Sequence, residues 1–195
     1  LPPQHARPLN LSPENLTERA PEIRSTVADR GLVLTGLASN ANVADLEQVR
    51  LLADGAQAVG APLIRLDSKR YDGSVPYHQL FDQAIADYGK AIEIVRPYGV
   101  RIIVEMHGGT IHTSASLAWR LVSHFDPAAI GVIYDPNNAV SDGFETVSIA
   151  LDLLGEYLGH VHVGGHRPVT GTVNDAGQVT WGWEWCELAE GLYDY

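Results

Sequence analysis

Three residues whose side chains can bind a metal ion stand at the ends of short apolar segments. Glu105 follows residues 100–104, Asp135 follows residues 130–134, and His162 lies within a third such segment. Carboxylate oxygens and an imidazole nitrogen are ligands suited to Mn²⁺, Mg²⁺, Co²⁺ or Zn²⁺. These residue types therefore predict a divalent metal site, provided that the fold brings the three segment ends together.

The alternation of side chains along a strand decides which neighbours of these residues face the same way. It places His107 on the face of Glu105, and His160 on the face of His162. Each residue alone also has an ordinary explanation, because carboxylates often cap helices or form salt bridges. His160 fits a hydrogen-bonded core histidine, and His107 fits a loop residue before Gly108. The combination of three segment ends is what favours a functional site.

Strand-like and helix-like segments alternate with a repeat of about 30 residues, which is the length of a βαβ unit. Such units build a parallel sheet, whose strands end at one common edge. Two α/β architectures fit, an open doubly wound sheet and a (β/α)8 barrel. Neither G-x-G-x-x-G nor G-x-x-x-x-G-K-[ST] follows a predicted strand, so a nucleotide-binding open sheet has no support. The predicted strands cover residues 31–37, 63–66, 100–106, 130–134 and 160–163, and the predicted helices cover residues 43–59, 77–95, 114–125 and 144–154.

The composition is that of an ordinary folded protein with a strong acidic balance. The 195 residues include 13 Lys+Arg and 24 Asp+Glu, with 45% hydrophobic and 19% charged residues. This balance argues against a nucleic acid or an anionic membrane surface as partner, and no apolar run reaches the roughly 18–20 residues of a membrane helix. The single cysteine, Cys186, excludes an internal disulfide framework and is expected to be buried and unreactive. A cytoplasmic location is therefore predicted.

Several motifs resemble, in their order and spacing, those of the xylose isomerase-like TIM barrels. Residues 105–108, EMHG, resemble the E-x-H-G motif at the end of that family's fifth strand. Residues 131–138, GVIYDPNN, resemble its sixth strand with a metal-binding Asp, and residues 160–163, HVHV, resemble its seventh. Further similarities lie at residues 31–39, 60–65 and 177–181. The superfamily contains sugar isomerases and epimerases, inosose dehydratases and AP endonuclease family 2.

The resemblance implies a (β/α)8 TIM barrel of which this chain carries only part. Residues 1–195 would form a single barrel domain that is incomplete at both ends and lacks the first two strands and the last. A whole barrel typically takes about 250 residues. The family holds its metal with Glu, Asp, His and a final Glu, and the first three correspond to Glu105, Asp135 and His162. The fourth has no counterpart before Tyr195.

The function that the resemblance implies is a divalent-metal-dependent sugar or polyol isomerase or epimerase. It would transfer a proton next to a carbonyl through a metal-stabilised enediolate, with manganese among the candidate ions. Glu105 would be both a metal ligand and the proton-transfer residue, and His107 would act as an acid or bind a substrate hydroxyl. The implied partners are the sugar or polyol and, in a homo-oligomer, a second copy. The other substrate-binding candidates are Asn137, Asn138, His160, His166 and Arg167.

Two departures from the family's ketose 3-epimerases leave other functions open. Those enzymes carry a second Glu and a His where this chain has Ile111 and Asn138. A metal-dependent dehydratase or a C-glycoside-cleaving lyase would begin with the same proton removal. A non-catalytic barrel subunit is a further alternative, supported by the missing fourth ligand.

Five more residues stand out for their chemistry. Arg65 and Lys69 could bind substrate, but surface ion pairs are the favoured interpretation for both. Trp181, Trp183 and Trp185 alternate along the chain. They suit a surface that stacks on sugars or contacts a subunit, and equally a hydrophobic loop that covers the barrel mouth or core.

Overall fold

The computed structural model describes residues 10–67, 70–142 and 145–193 of the chain. Its centre is a sheet of five parallel strands whose spatial order follows their order in the sequence. Helices connect the successive strands, so the chain consists of consecutive βαβ units, which confirms the predicted α/β class. The strands are β1 (Leu37–Asn42), β2 (Leu63–Asp67), β3 (Arg101–Glu105), β4 (Ile130–Tyr134) and β5 (Leu158–Val161).

The helix of residues Leu46–Val59 begins and ends at residues that satisfy the groups at its ends. Asp45 Oδ1 accepts a hydrogen bond from the backbone N–H of Gln48 at the start of the second helix. That helix ends at Gly60, whose φ of 82° favours glycine.

In the described ranges, no helix combines the length and the apolar character that crossing a bilayer requires. The α-helices described are α1 (Leu16–Ala28), α2 (Leu46–Val59), α3 (Tyr77–Val95), α4 (Ala115–Val122), α5 (Pro136–Asp142) and α6 (Val147–Leu154).

The two faces of the sheet have different roles. Ile64, Ile102 and Val132 are fully buried in the main hydrophobic core, together with apolar residues of the helices. Arg65 and Ile103 point to the opposite face, where they line a cavity. The helical core therefore holds the strands in place, and the second face is left for a functional site.

The first strand begins later than the sequence predicts. The predicted strand covers residues 31–37, whereas β1 starts at Leu37, which pairs with Ile64. Leu32 and Val33 are 61% and 85% exposed instead of buried. The physical reason is register, because β2 starts only at Leu63, which lies opposite Gly36, and offers residues 32–35 no partner.

The structure also contains elements that the sequence patterns did not predict. An antiparallel hairpin is formed by β6 (Gly165–Val173) and β7 (Val179–Cys186), although residues 177–181 were interpreted only as a motif before a helix. Helices α1 and α5 were likewise not predicted; α1 contains Pro21, which argues against a helix in a sequence. Strand β5 ends at Val161, and His162 follows it, because β4 offers no residue beyond Tyr134 for pairing. The predicted helix start at Phe144 lies outside the described residues.

A close contact between α1 and α2 depends on a residue without a side chain. A Cβ on Gly55 would lie 2.6 Å from Leu16 Cβ. Gly55→Ala is therefore expected to lower the free energy of unfolding by about 1–3 kcal/mol in urea denaturation, because the two helices must move apart. The matched control is Gly89→Ala in α3, where the new Cβ would meet only Phe125 at 3.7 Å. That variant should gain about 0.5–1 kcal/mol from the better helix former, and equal shifts in the two variants would contradict the helix contact.

Candidate metal centre

The side chains of Glu105, Asp135 and His162 converge at the carboxyl ends of three neighbouring strands. One ligand atom from each of them lies within 4.8 Å of the others. His162 Nδ1 is 2.9 Å from Asp135 Oδ2 and 3.1 Å from Glu105 Oε1. The parallel register produces this meeting, because Glu105 pairs with Ile133 on β4 and His162 N–H donates to Tyr134 O.

Each carboxylate in this cluster has one oxygen bound to the scaffold and one directed at His162. Asp135 Oδ1 accepts hydrogen bonds from the backbone N–H groups of Asn137 and Asn138, at 2.8 and 3.2 Å, in the first turn of α5. Glu105 Oε2 forms an ion pair with Arg65 Nη1. The ordinary roles of a strand-end carboxylate, helix capping and salt bridging, therefore coexist with the cluster and orient it.

Charges within the cluster shift the pKa values of two of its members in opposite directions. Burial alone would raise the pKa of Glu105, but the hydrogen bond from His162 and the charge of Arg65 outweigh it and lower the pKa to about 2. Hydrogen bonds to Asp135 and Glu105 raise the pKa of His162 to about 9. Near neutral pH, His162 in the metal-free cluster is therefore protonated and carries a positive charge between the two carboxylates.

The spacing and chemistry of the three ligand atoms suit a divalent ion in place of that proton. Ligands about 2.1 Å from a common ion and at right angles to each other are about 3.0 Å apart. The separations of 2.9 and 3.1 Å from Nδ1 to the two carboxylate oxygens match that value. Two carboxylates and one imidazole form a donor set accepted by the first-row divalent metals and by Mg²⁺.

Several of the predicted substrate-binding residues surround the cluster. The ring of His160 lies 5.7 Å from that of His162, and both line the cavity on the sheet's second face. His160 is half-buried there, so its interpretation as a core histidine is wrong. Asn137 is buried at the start of α5, and Asn138 Nδ2 donates to Met106 O at 2.9 Å.

The other three predicted residues stand differently. His166 Nδ1 lies 3.4 Å from Asn137 O, which places this histidine beside the cluster's rim. His107 is exposed, with its Nδ1 2.8 Å from Gly108 O. The contacts described for Arg167 are salt bridges to carboxylates of Glu184 and Glu190 rather than contacts with the cluster.

The comparisons with known proteins agree with this fold. The family model described as xylose isomerase-like TIM barrel matches residues 2–194. The chain belongs to this family. No match was found among curated protein sequences.

Solved structures with the same fold carry different descriptions. A 3-keto-D-glucoside 4-epimerase from E. coli is 14% identical, with a TM-score of 0.67 over 78% of this chain and 66% of that chain. A xylose isomerase-like TIM barrel protein from Mycobacterium smegmatis in complex with magnesium is 20% identical, with a TM-score of 0.67 over 94% and 65% of the two chains. A D-psicose 3-epimerase with D-tagatose from Clostridium cellulolyticum H10 is 16% identical, with a TM-score of 0.64 over 76% and 58%. This chain thus spans 58–66% of the length of these three structures.

Within this xylose isomerase-like barrel, Arg65 has a different place from the one predicted. Its ion pair with Glu105 is not at the surface, since the two side chains are only 12% and 8% exposed. Strand alternation alone does not reveal this contact, because the register that pairs Arg65 with Ile103, on the face of Glu105, is set by the packing of the strands. Lys69 lies outside the described residues.

A buried histidine in the loop after β3 was not predicted at all. His112 is 1% exposed, and its Nδ1 lies 3.2 Å from Thr110 Oγ1. Burial lowers the pKa of His112 to about 4, so the ring is neutral near pH 7. No periodicity or motif in the sequence distinguishes this histidine, because its burial depends on the loop that follows β3.

The three alternating tryptophans lie on one face of the hairpin. Trp181, Trp183 and Trp185 are 68%, 37% and 72% exposed, so they do not cover the hydrophobic core. The ring of Trp185 is 4.3 Å from that of His166, which joins this aromatic face to the rim of the cluster. Cys186 is half-buried rather than buried as expected.

Proposed function

We propose that the chain forms the metal-binding and catalytic part of a divalent-metal-dependent sugar or polyol isomerase or epimerase. The carrying observation is the cluster of Glu105, Asp135 and His162, in which one oxygen of each carboxylate is directed at His162 Nδ1. The named structures with this fold support the choice of substrate class. One is described as an epimerase of 3-keto-D-glucosides, another as a D-psicose epimerase with D-tagatose, and a third carries magnesium.

The proposed chemistry is the movement of a proton on a carbon next to a carbonyl. Glu105, Asp135 and His162 would hold the ion, which when bound polarises substrate oxygens and disperses the negative charge left by deprotonation. Glu105 is kept ionised beside Arg65 and would accept the proton from the carbon. A fourth carboxylate, implied by the resemblance, has no counterpart in the cluster among residues 10–67, 70–142 and 145–193.

Residues on the rim would orient the sugar hydroxyls. His160 lines the cavity next to the cluster, and His166 lies beside Asn137. His107 is exposed at the end of β3 and would donate a hydrogen bond to a substrate hydroxyl. The salt bridges of Arg167 on the hairpin leave it the weakest of the predicted substrate ligands.

The direct test is proton exchange in deuterated water. The chain loaded with Mn²⁺ should exchange the proton beside the carbonyl of a ketose or a 3-keto-glucoside for deuterium. The exchange is measured by ¹H NMR after the paramagnetic Mn²⁺ has been removed, or directly when Mg²⁺ is used instead. The same protein treated with a chelator should not exchange. Metal binding without exchange on any ketose or keto-glucoside would contradict the proposal.

The products of the same incubations decide between the alternatives. A new sugar epimer or isomer supports the proposed function. Loss of water, or release of the group attached to the anomeric carbon, indicates the dehydratase or the C-glycoside-cleaving lyase instead. These reactions share the first proton removal, so exchange alone does not separate them.

A further inference from the structure

Arg65 is held in place by groups other than the carboxylate that it contacts. Its Nε donates to Ser39 O at 2.9 Å, and its Nη2 donates to Asn40 Oδ1 at 2.6 Å. Both acceptors belong to β1, and Ser39 Oγ returns a hydrogen bond to Arg65 O at 2.6 Å. Because a guanidinium is planar, two anchored nitrogens fix the position of the third, Nη1, which meets Glu105 Oε2.

The scaffold holds the two carboxylates through different groups. The scaffold oxygen of Asp135 is bound by two backbone N–H groups of α5. The scaffold oxygen of Glu105 is bound by Arg65, and the Glu side chain has one more rotatable bond to restrain. The two carboxylates are thus oriented in equivalent ways, one by backbone and the other by a clamped arginine.

We propose that Arg65 is a positioning residue, which holds Glu105 so that Oε1 alone is presented to a divalent cation bound with Asp135 and His162. This inference rests on the proposed function, since it concerns the same metal centre. Arg65 touches neither the cation nor the substrate in this role. Its effect depends on the fork geometry of the guanidinium, which a lysine of equal charge does not reproduce.

The test measures Mn²⁺ affinity of the full chain by titration calorimetry at a fixed pH. Arg65→Lys keeps the positive charge but loses the fork, and it should bind Mn²⁺ about 10–100-fold more weakly, as is usual when a group behind a metal ligand is removed. The matched control is Arg96→Lys, in an exposed ion pair with Glu93, and it should bind like the native chain. In Arg65→Lys with Glu105→Gln, the affinity should be no weaker than in Glu105→Gln alone, because both changes remove the same interaction.

A second variant covers the case in which Arg65→Lys does not fold. Asn40→Ala leaves Arg65 and Glu105 in place but removes one anchor of the guanidinium, and it should weaken Mn²⁺ binding by about 3–10-fold. Native affinity in Arg65→Lys, or in Asn40→Ala if only that variant folds, would overturn this inference while leaving the metal centre intact. A native chain that binds no Mn²⁺ would overturn the proposed function together with this inference.

Discussion

Replacing Glu105 by Gln is expected to reduce proton exchange by about 10²–10⁴-fold, which is the usual contribution of a positioned general base. Gln has nearly the same shape but does not accept the proton, and its neutral oxygen is a poorer ligand. Glu105 lies between Arg65 and His162, so the change acts at the centre of the cluster. Exchange of the substrate proton by NMR and Mn²⁺ affinity by calorimetry measure the two losses separately.

The control for this prediction is Glu93→Gln, the same chemical change in an exposed ion pair on α3. It should leave exchange and metal affinity unchanged. Circular dichroism and thermal denaturation of both variants distinguish a damaged site from a damaged fold. Exchange at the native rate in a folded Glu105→Gln chain would exclude Glu105 as the proton-transfer residue.

Manganese affinity is expected to rise about tenfold per pH unit between pH 6 and pH 8, and to level off as the pH approaches 9. The reason is that Asp135 and Glu105 raise the pKa of His162 to about 9 in the metal-free cluster. Below that pH a cation must displace one proton from His162, and the released proton couples affinity to pH. Calorimetry in buffers of different ionisation enthalpy measures both the affinity and the proton released.

A variant of His162 and a measurement of stability against pH both check that His162 is protonated in the metal-free chain. His162→Asn should bind Mn²⁺ more weakly and with little dependence on pH, whereas His124→Asn, an exposed residue outside the cluster, should behave like the native chain. In the metal-free chain, the raised pKa of His162 stabilises the fold fully below about pH 6.5, and that stability is lost as the pH rises through about 9. The lowered pKa of Glu105 stabilises the fold above about pH 4.5, and that stability is lost as the pH falls toward about 2. Equal affinity at pH 6 and pH 8 would contradict the protonated state of His162.

The sequence by itself determined the class of fold and the residues that meet at the cluster. Short apolar segments separated by helical periodicity predict parallel strands, and the strand of residues 130–134 was predicted with the bounds it has in β4. Parallel strands end at one edge of the sheet, so Glu105, Asp135 and His162 could be placed together from local patterns alone. The alternation of side chains likewise placed His160 beside His162.

Only the tertiary structure decided how these residues are held and where the sheet begins. The contact between Arg65 and Glu105 joins residues 40 positions apart, and the oxygen that each carboxylate gives to the scaffold follows from such contacts. The start of β1 at Leu37 depends on where β2 begins, not on the apolar residues before it. Local patterns report which face a side chain takes, whereas register and long-range partners arise from the mutual packing of several strands. For that reason the ligands were visible in the sequence, and the clamp on Glu105 was not.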